Sequence, residues 1–281
     1  MRLGIIGPGL IGGSMAVDLR RRGFAGEVLA VERDVVAADA AVRLGLADAV
    51  VELEDCVRRC DVVVLAVPVD AALVLLPRIL DLVGGTGKTV LDVCSVKEPL
   101  CNAASGHPAR GRYVATHPMA GTEYSGPWAA QPGLFDGRAC IFCDADASDP
   151  DALELAERLY GVLNMRLSRL GAAEHDLHVA YVSHISHITS FALAQTVLDK
   201  EKDERHIFDL ASGGFESTVR LAKSSPDMWK PILSHNRDNV LEVVDTYLEK
   251  MKDFRNAIAE GDTARIGELI EDANRIKRIL K

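Results

Sequence analysis

The stretch RLGIIGPGLIGGSMAVDLRRRG, Arg2 to Gly23, decides how the rest of the chain is read. A short apolar run ends in GPGLIG, which fits the spacing G-x-G-x-x-G at Gly7, Gly9 and Gly12, and a helical segment follows at once. Glycines at this spacing often occur by chance. Here a second apolar run, EVLAVE, follows the helix and ends in Glu32, which supplies the strand–turn–helix–strand context the pattern needs. Gly7 permits a tight turn, Gly9 lets a pyrophosphate approach the backbone, and Gly12 lets the helix pack against the strand. The helix start, with Leu10 and Ile11 in its first turn, then directs its N–H groups at the phosphates. Glu32 lies about 20 residues past the last glycine, where a carboxylate accepts the ribose hydroxyls of an adenosine and repels a 2′-phosphate. That favours NAD over NADP. Arg33 and Arg20 to Arg22 pull the other way, because a guanidinium binds the extra phosphate. Val67, at the end of a later apolar run, completes the expected cofactor set.

Working outward, DVVVLAVP, KTVLDV and RYVATHP are further short apolar runs, and amphipathic segments separate most of them. The alternation predicts an α/β domain, a doubly wound parallel sheet with helices on both faces. A strand around RACIFC and a helix through DALELAERLYGVLNM complete a domain over residues 1–171. From Ala172 the texture becomes helical, which predicts a second domain over 172–281. Its first segment, EHDLHVAYVSHISHITSFALAQTVL, is apolar nearly all round, as expected of a helix buried among others. Near the end, two helices break at Gly261, with Asp262 as N-cap. GGTGKT, Gly84 to Thr89, resembles a phosphate-binding loop, but its spacing would put the first glycine at Leu82 and it runs from helix into strand. It is read as a connecting turn.

The 281 residues carry a formal net charge of −9 and 48% hydrophobic residues. A chain this acidic, without a basic run, repels a phosphate backbone, so no nucleic-acid partner is expected. The start has no leader pattern and the longest apolar stretch is interrupted by Pro68 and Asp70, so neither export nor a membrane span is expected. The expectation is a cytoplasmic protein whose six cysteines are reduced and buried. Cys140 and Cys143, three apart in a strand, point to opposite faces.

A nicotinamide domain implies hydride transfer, and a carbon bearing a hydroxyl that loses hydride must also lose the hydroxyl proton. Ligands of a doubly wound sheet bind beyond the carboxyl ends of its strands, and Ser95 and His117 both sit just past such ends. A neutral imidazole suits the acceptor role. SVKE, with Glu98 three residues after Ser95, also reads as a capping box. His175, His178, His184 and His187 look like a metal cluster, but at about 100° per residue the two pairs fall on largely opposite sides of one continuous helix. No metal is expected.

GPGLIGGSMA, DVCSVK, THPMAGTE, GLFDGR, VSHISH and TVRLAKSSPDMW, in this order across almost the whole chain, resemble the prephenate and arogenate dehydrogenases of tyrosine biosynthesis. The resemblance implies a Rossmann-like amino domain, a helical domain that builds a homodimer, and NAD-dependent oxidative decarboxylation of prephenate, with arogenate as the alternative substrate. By the same resemblance His117 accepts a hydrogen bond from the ring hydroxyl, and Ser95 assists there. Arg220 lies against the carboxylate that leaves, and His187, Glu123, Thr122 and Trp229 line the substrate side. Glu216 and Ser217 stand where many relatives carry a lysine and an aspartate, which leaves the orientation of Arg220 open. Fused mutase and regulatory domains are not expected.

Overall fold

The structure, a computed structural model, describes residues 1–202 and 207–279. By internal contacts it forms two compact units, residues 1–236 and residues from 237 on. The first unit opens with β1 (Arg2–Ile6), α1 (Leu10–Arg21), β2 (Glu27–Val31), α2 (Val35–Arg43), β3 (Ala49–Val50), α3 (Leu53–Arg59), β4 (Val62–Leu65), α4 (Val69–Val83), β5 (Thr89–Asp92) and α5 (Glu98–Ala104). It continues with β6 (Tyr113–Pro118), β7 (Ala139–Cys143), α6 (Pro150–Val162), β8 (Arg166–Leu170), α7 (Ala172–Val179), α8 (Ile185–Glu201), α9 (Gly213–Val219) and α10 (Pro226–His235).

The strands form one sheet in the order β3-β2-β1-β4-β5-β6-β7-β8. The reversal of direction across β1 and β4 makes the sheet doubly wound. All pairings are parallel except β6 with β7, so the expected parallel sheet is corrected by one antiparallel pair. Alternation along the strands feeds two separate cores. Leu3, Ile5, Val62 and Val64 pack with Met15, Leu19 and Leu159 of α1 and α6, while Ile6, Val63 and Leu65 pack with residues of α3, α4 and α5. Cys140 and Cys143 fall into different cores, and all six cysteines are buried and unbonded. Two strands carried no sequence signal. β3 has only two residues, and β8, RLSRL, is an edge strand whose arginines lie in water, a composition that blunts an edge against further pairing.

Every described element after β8 is helical. The segment expected to be one buried helix differs in two ways. A π-helical stretch, Ala180–His184, separates α7 from α8, and one side is exposed in the single chain, with Val182 68% and Leu198 53% accessible. In the second unit α11 (Arg237–Glu260) and α12 (Thr263–Asn274) meet at Gly261, whose φ of 66° is the left-handed conformation glycine tolerates. Asp262 caps α12 by accepting from the Arg265 N–H at 2.9 Å, as expected. Among the described residues no helix is long and apolar enough to cross a membrane.

Candidate active site

The glycine turn after β1 has the geometry its spacing implies. Gly7 has φ 89°, and a Cβ there would lie 2.5 Å from the Ala66 carbonyl oxygen and 2.8 Å from a Val67 methyl carbon. A Cβ on Gly12 would lie 2.4 Å from the Gly7 carbonyl oxygen and 2.8 Å from Ile5, so only glycine lets α1 sit this close to β1. A Cβ on Gly9 would point into open space and meet no atom of the fold within 4 Å. This cradle opens onto the first N–H groups of α1, beside the half-buried Leu10 and Ile11, and fits a pyrophosphate. Past β2, Glu32 Oε1 accepts from the Asp34 N–H at 2.9 Å, which anchors the carboxylate, while Arg33 is exposed. Arg20 is taken up by Asp48 at 2.8 Å and Arg22 by Asp136 at 2.9 Å.

Ser95 lies past the carboxyl end of β5, whereas His117, expected past the end of β6, is the last residue but one of that strand and pairs with Ile141 of β7. β5 and β6 are adjacent and pair Asp92 with Ala115. The capping box expected at Ser95 is absent. α5 begins only at Glu98, and its leading N–H groups, those of Lys97 and Glu98, each donate at 2.8 Å to the Asp176 carboxylate, which arrives from α7. A carboxylate 78 residues away does what the serine was expected to do. Ser95 is left half-buried, with no hydrogen bond from its hydroxyl among the described residues.

His117 is 9% exposed, and its Nδ1 lies 2.8 Å from Nε2 of His175. Nδ1 of His175 lies in turn 2.8 Å from the Asp176 carboxylate. Burial, aided by His175, Lys97 and His184, holds the His117 pKa well below its ordinary 6.5, so the ring is neutral near pH 7. Behind the pair, Lys97 is wholly buried and donates to Asp92 and to the Thr116 carbonyl oxygen, while Tyr113 donates to Asp92 at 2.8 Å. Burial works against the Lys97 ammonium, but Asp92 more than offsets it and its pKa is raised. This network ties the Ser95 loop to the strand that carries His117.

A second group comes from the segments after β8 and from the loop after β6. His187 stacks on Trp229 with ring centres 3.6 Å apart, and its Nδ1 donates to the Ser183 carbonyl oxygen at 3.0 Å. Nε2 of the neutral ring is then an acceptor. Burial, with the nearby Arg220 charge, lowers its pKa. Trp229 is 6% exposed, and its Nε1 is, among the described residues, the only buried side-chain polar atom without a hydrogen-bond partner. Leaving such a group unpaired costs about 1–3 kcal/mol. Arg220 meets Glu123 at 3.3 Å, with its side chain 53% exposed. Ser217 bonds to the Gly214 carbonyl oxygen, so it is Glu123 that orients the arginine. Thr122 is half-buried and accepts from the Tyr124 N–H at 3.3 Å, and Glu216 is exposed.

The four histidines do not divide as the helical wheel implied. His175 and His184 are both 1% exposed, on one side, and only His178 of the four faces solvent. The π-helical stretch between them turns less per residue than an α-helix and rotates His184 toward His175. His184 is held by Asn236 at 3.2 Å, and burial lowers its pKa to about 4. Among the described residues no group of three or more metal-ligating side chains is present. Sequence reasoning missed Asp176, His175 as a partner of His117, and the Asp92–Lys97 pair. The last was within reach, since DVCSVK ends a buried strand in an acid and carries a lysine five residues on.

A phosphate cradle, an adenosine-side carboxylate and a buried neutral imidazole along the carboxyl edge of a doubly wound sheet define a dehydrogenase of the nucleotide-binding class. Two family models match the chain in order: "Prephenate dehydrogenase, nucleotide-binding domain" over residues 15–168 and "Prephenate dehydrogenase, dimerization domain" over residues 171–272. The chain belongs to the prephenate dehydrogenase family, and it is an oxidoreductase. It is 29% identical to prephenate dehydrogenase of Bacillus subtilis over 93% of this chain and 71% of that protein. A crystal structure of prephenate dehydrogenase from A. aeolicus, in complex with hydroxyphenyl propionate and NAD+, superposes with a TM-score of 0.85 at 28% identity, covering 99% of this chain and 97% of the other. Synechocystis arogenate dehydrogenase superposes with a TM-score of 0.76 at 25% identity over the full length of both.

Proposed function

We propose that this chain catalyses the NAD-dependent oxidative decarboxylation of prephenate to 4-hydroxyphenylpyruvate. The observation that carries the proposal is the buried, neutral His117 at the end of β6, one strand from Ser95. NAD, bound along the glycine cradle by Gly7, Gly9, Leu10, Ile11, Gly12 and Val67, supplies the hydride acceptor. His117 takes the proton of the ring hydroxyl as the hydride leaves the same carbon and returns it to that oxygen as carbon dioxide departs, so that the product is the phenol, and Ser95 donates a hydrogen bond to the same oxygen. Loss of carbon dioxide makes the ring aromatic and drives the step. Arg220 binds a substrate carboxylate. Its present contact with Glu123 is a solvated ion pair of about 0–1 kcal/mol, which a substrate carboxylate held in two hydrogen bonds can displace. The unpaired Trp229 N–H and the acceptor nitrogen of His187 supply further contacts, with Thr122 and Glu123 at the rim.

NAD is preferred to NADP because Glu32 is anchored beside the expected ribose site, while Arg20 and Arg22 are occupied elsewhere. Functionally the chain divides into a nucleotide domain over residues 1–171 and a substrate and dimerisation domain over 172–281. The apolar side of α7 and α8 left open in the single chain supports a homodimer. The cytoplasm suits its unbonded thiols. Arogenate is the second reading, because the carboxylates of Glu123 and Glu216 favour a substrate bearing an ammonium group. Initial rates with both substrates and both cofactors test this reading. NADH should form fastest with prephenate, and no NADH from either substrate would sink the proposal.

A further inference from the structure

The buried carboxylate of Asp176 lies at the junction of two hydrogen-bond systems that the proposed chemistry uses. Toward α5 it accepts the Lys97 and Glu98 N–H groups at 2.8 Å each, and so holds the loop that carries Ser95. Toward β6 it meets Nδ1 of His175 at 2.8 Å, and His175 meets Nδ1 of His117 at 2.8 Å. All three side chains are buried.

We propose that Asp176 is a positioning residue that, through His175, fixes the tautomer of His117. A carboxylate only accepts, so His175 Nδ1 carries the proton. The remaining nitrogen of a neutral His175, Nε2, is then an acceptor, and the 2.8 Å contact requires His117 Nδ1 to donate. His117 Nε2 is left with a lone pair, the state a proton acceptor must have. Without the carboxylate the chain of rings has an equally satisfied reverse arrangement, with His175 Nε2 donating and the proton of His117 on Nε2. That tautomer cannot take up a hydroxyl proton at Nε2. One carboxylate thus sets the proton position on His117 and the place of Ser95 together.

The inference rests on His117 as the proton acceptor, and the test separates the two. In full-length Asp176→Asn the anionic acceptor that keeps the proton on His175 Nδ1 is lost, and with the amide nitrogen turned to His175 its N–H favours the reverse arrangement. The turnover rate should fall by about 10-fold to 1,000-fold, as expected when an acid–base group is held in the wrong form. The affinity for NAD should be unchanged. His175→Phe leaves both caps on α5 in place and should cause a similar loss, which keeps the test alive should the amide variant fold poorly. Protein labelled with ¹⁵N at histidine reads the tautomer without any turnover. His117 should carry its proton on Nδ1 in the unaltered protein and on Nε2 in Asp176→Asn, a change that a purely structural role for Asp176 does not produce. Groups that bear on the His117 ring are Lys97, His175, Asp176 and His184, and the other three stay in place in Asp176→Asn. An unaltered protein with the proton on Nε2, or a His175→Phe variant with full turnover, would overturn the proposal. If His117→Asn itself kept full turnover, the fault would lie with the assigned reaction instead.

Discussion

His117 owes its neutrality to burial first and to the neighbouring His175, Lys97 and His184 second, so every contributor works against a proton on the ring. The acid limb of the saturated rate should therefore lie below the ordinary histidine value of 6.5 and not at it. His117→Asn keeps the reach of the side chain but removes the base, and should lower turnover by about 100-fold to 10,000-fold and erase that limb. A variant with full turnover, or with the same limb in its pH–rate profile, would show that the ring only fills a turn. In the proposed reading Glu32 serves the cofactor. It is anchored by the Asp34 N–H just past β2, and if it meets the adenosine ribose there, Glu32→Ser should narrow the gap between NAD and NADP by removing repulsion of the 2′-phosphate. Equal kcat/KM for the two cofactors in the unaltered protein would refute this assignment. The placement of both residues near the carboxyl end of a strand was legible in the sequence, because each closes an apolar run that forms a strand of the sheet. Asp176 was not. Besides His175, its partners are two backbone N–H groups that any residue but proline at 97 and 98 would offer.

At the scale of elements, α1 is fixed by a clearance rather than by a bond. A methyl group at residue 12 would stand 2.4 Å from a backbone oxygen, so Gly12→Ala must push the helix off β1 and with it the N–H groups that face the cradle. NAD affinity measured by calorimetry should drop at least about 10-fold, with the sheet intact by circular dichroism. Unchanged affinity would mean that α1 has room the structure does not give it. Glycine spacing made this contact readable because it records a steric requirement of the residue itself. The α7–α8 junction shows the opposite case. AYVSH contains no glycine or proline to signal a break, yet it forms the π-helical stretch that turns His184 inward, next to Trp229 and Asn236. The apolar residues of that segment predicted burial on all sides, whereas the single chain covers only one. Composition reports that a surface is to be covered and cannot say whether the same chain or a second copy does so.

Across the whole molecule the buried histidines couple the site to stability. His117 and His184 are 9% and 1% exposed, and burial holds both below 6.5, His184 at about 4. Above pH 6.5 each is neutral in the folded and the unfolded chain alike, so they leave stability independent of pH there. Below it the unfolded chain takes up protons that the folded chain refuses, and stability falls with pH by about 1.4 kcal/mol per unit for each group. For His184 the fall ends when the pH reaches its folded value near 4, after a total of roughly 3 kcal/mol. The two together are a sizeable part of the 5–15 kcal/mol or so that holds a typical domain together. Urea unfolding at fixed protein concentration should therefore show a midpoint that is flat from about pH 8 to 7 and drops steadily from about pH 6 to 5. His184→Gln, which keeps a polar group beside Asn236 but does not titrate, should be less stable at pH 7.5 and yet lose less on acidification. A slope unchanged in His184→Gln would mean that His184 is protonated in the folded protein, and a midpoint that stays level down to pH 5 would mean that both rings are. His117 would then lack the lone pair that the proposed reaction requires of it.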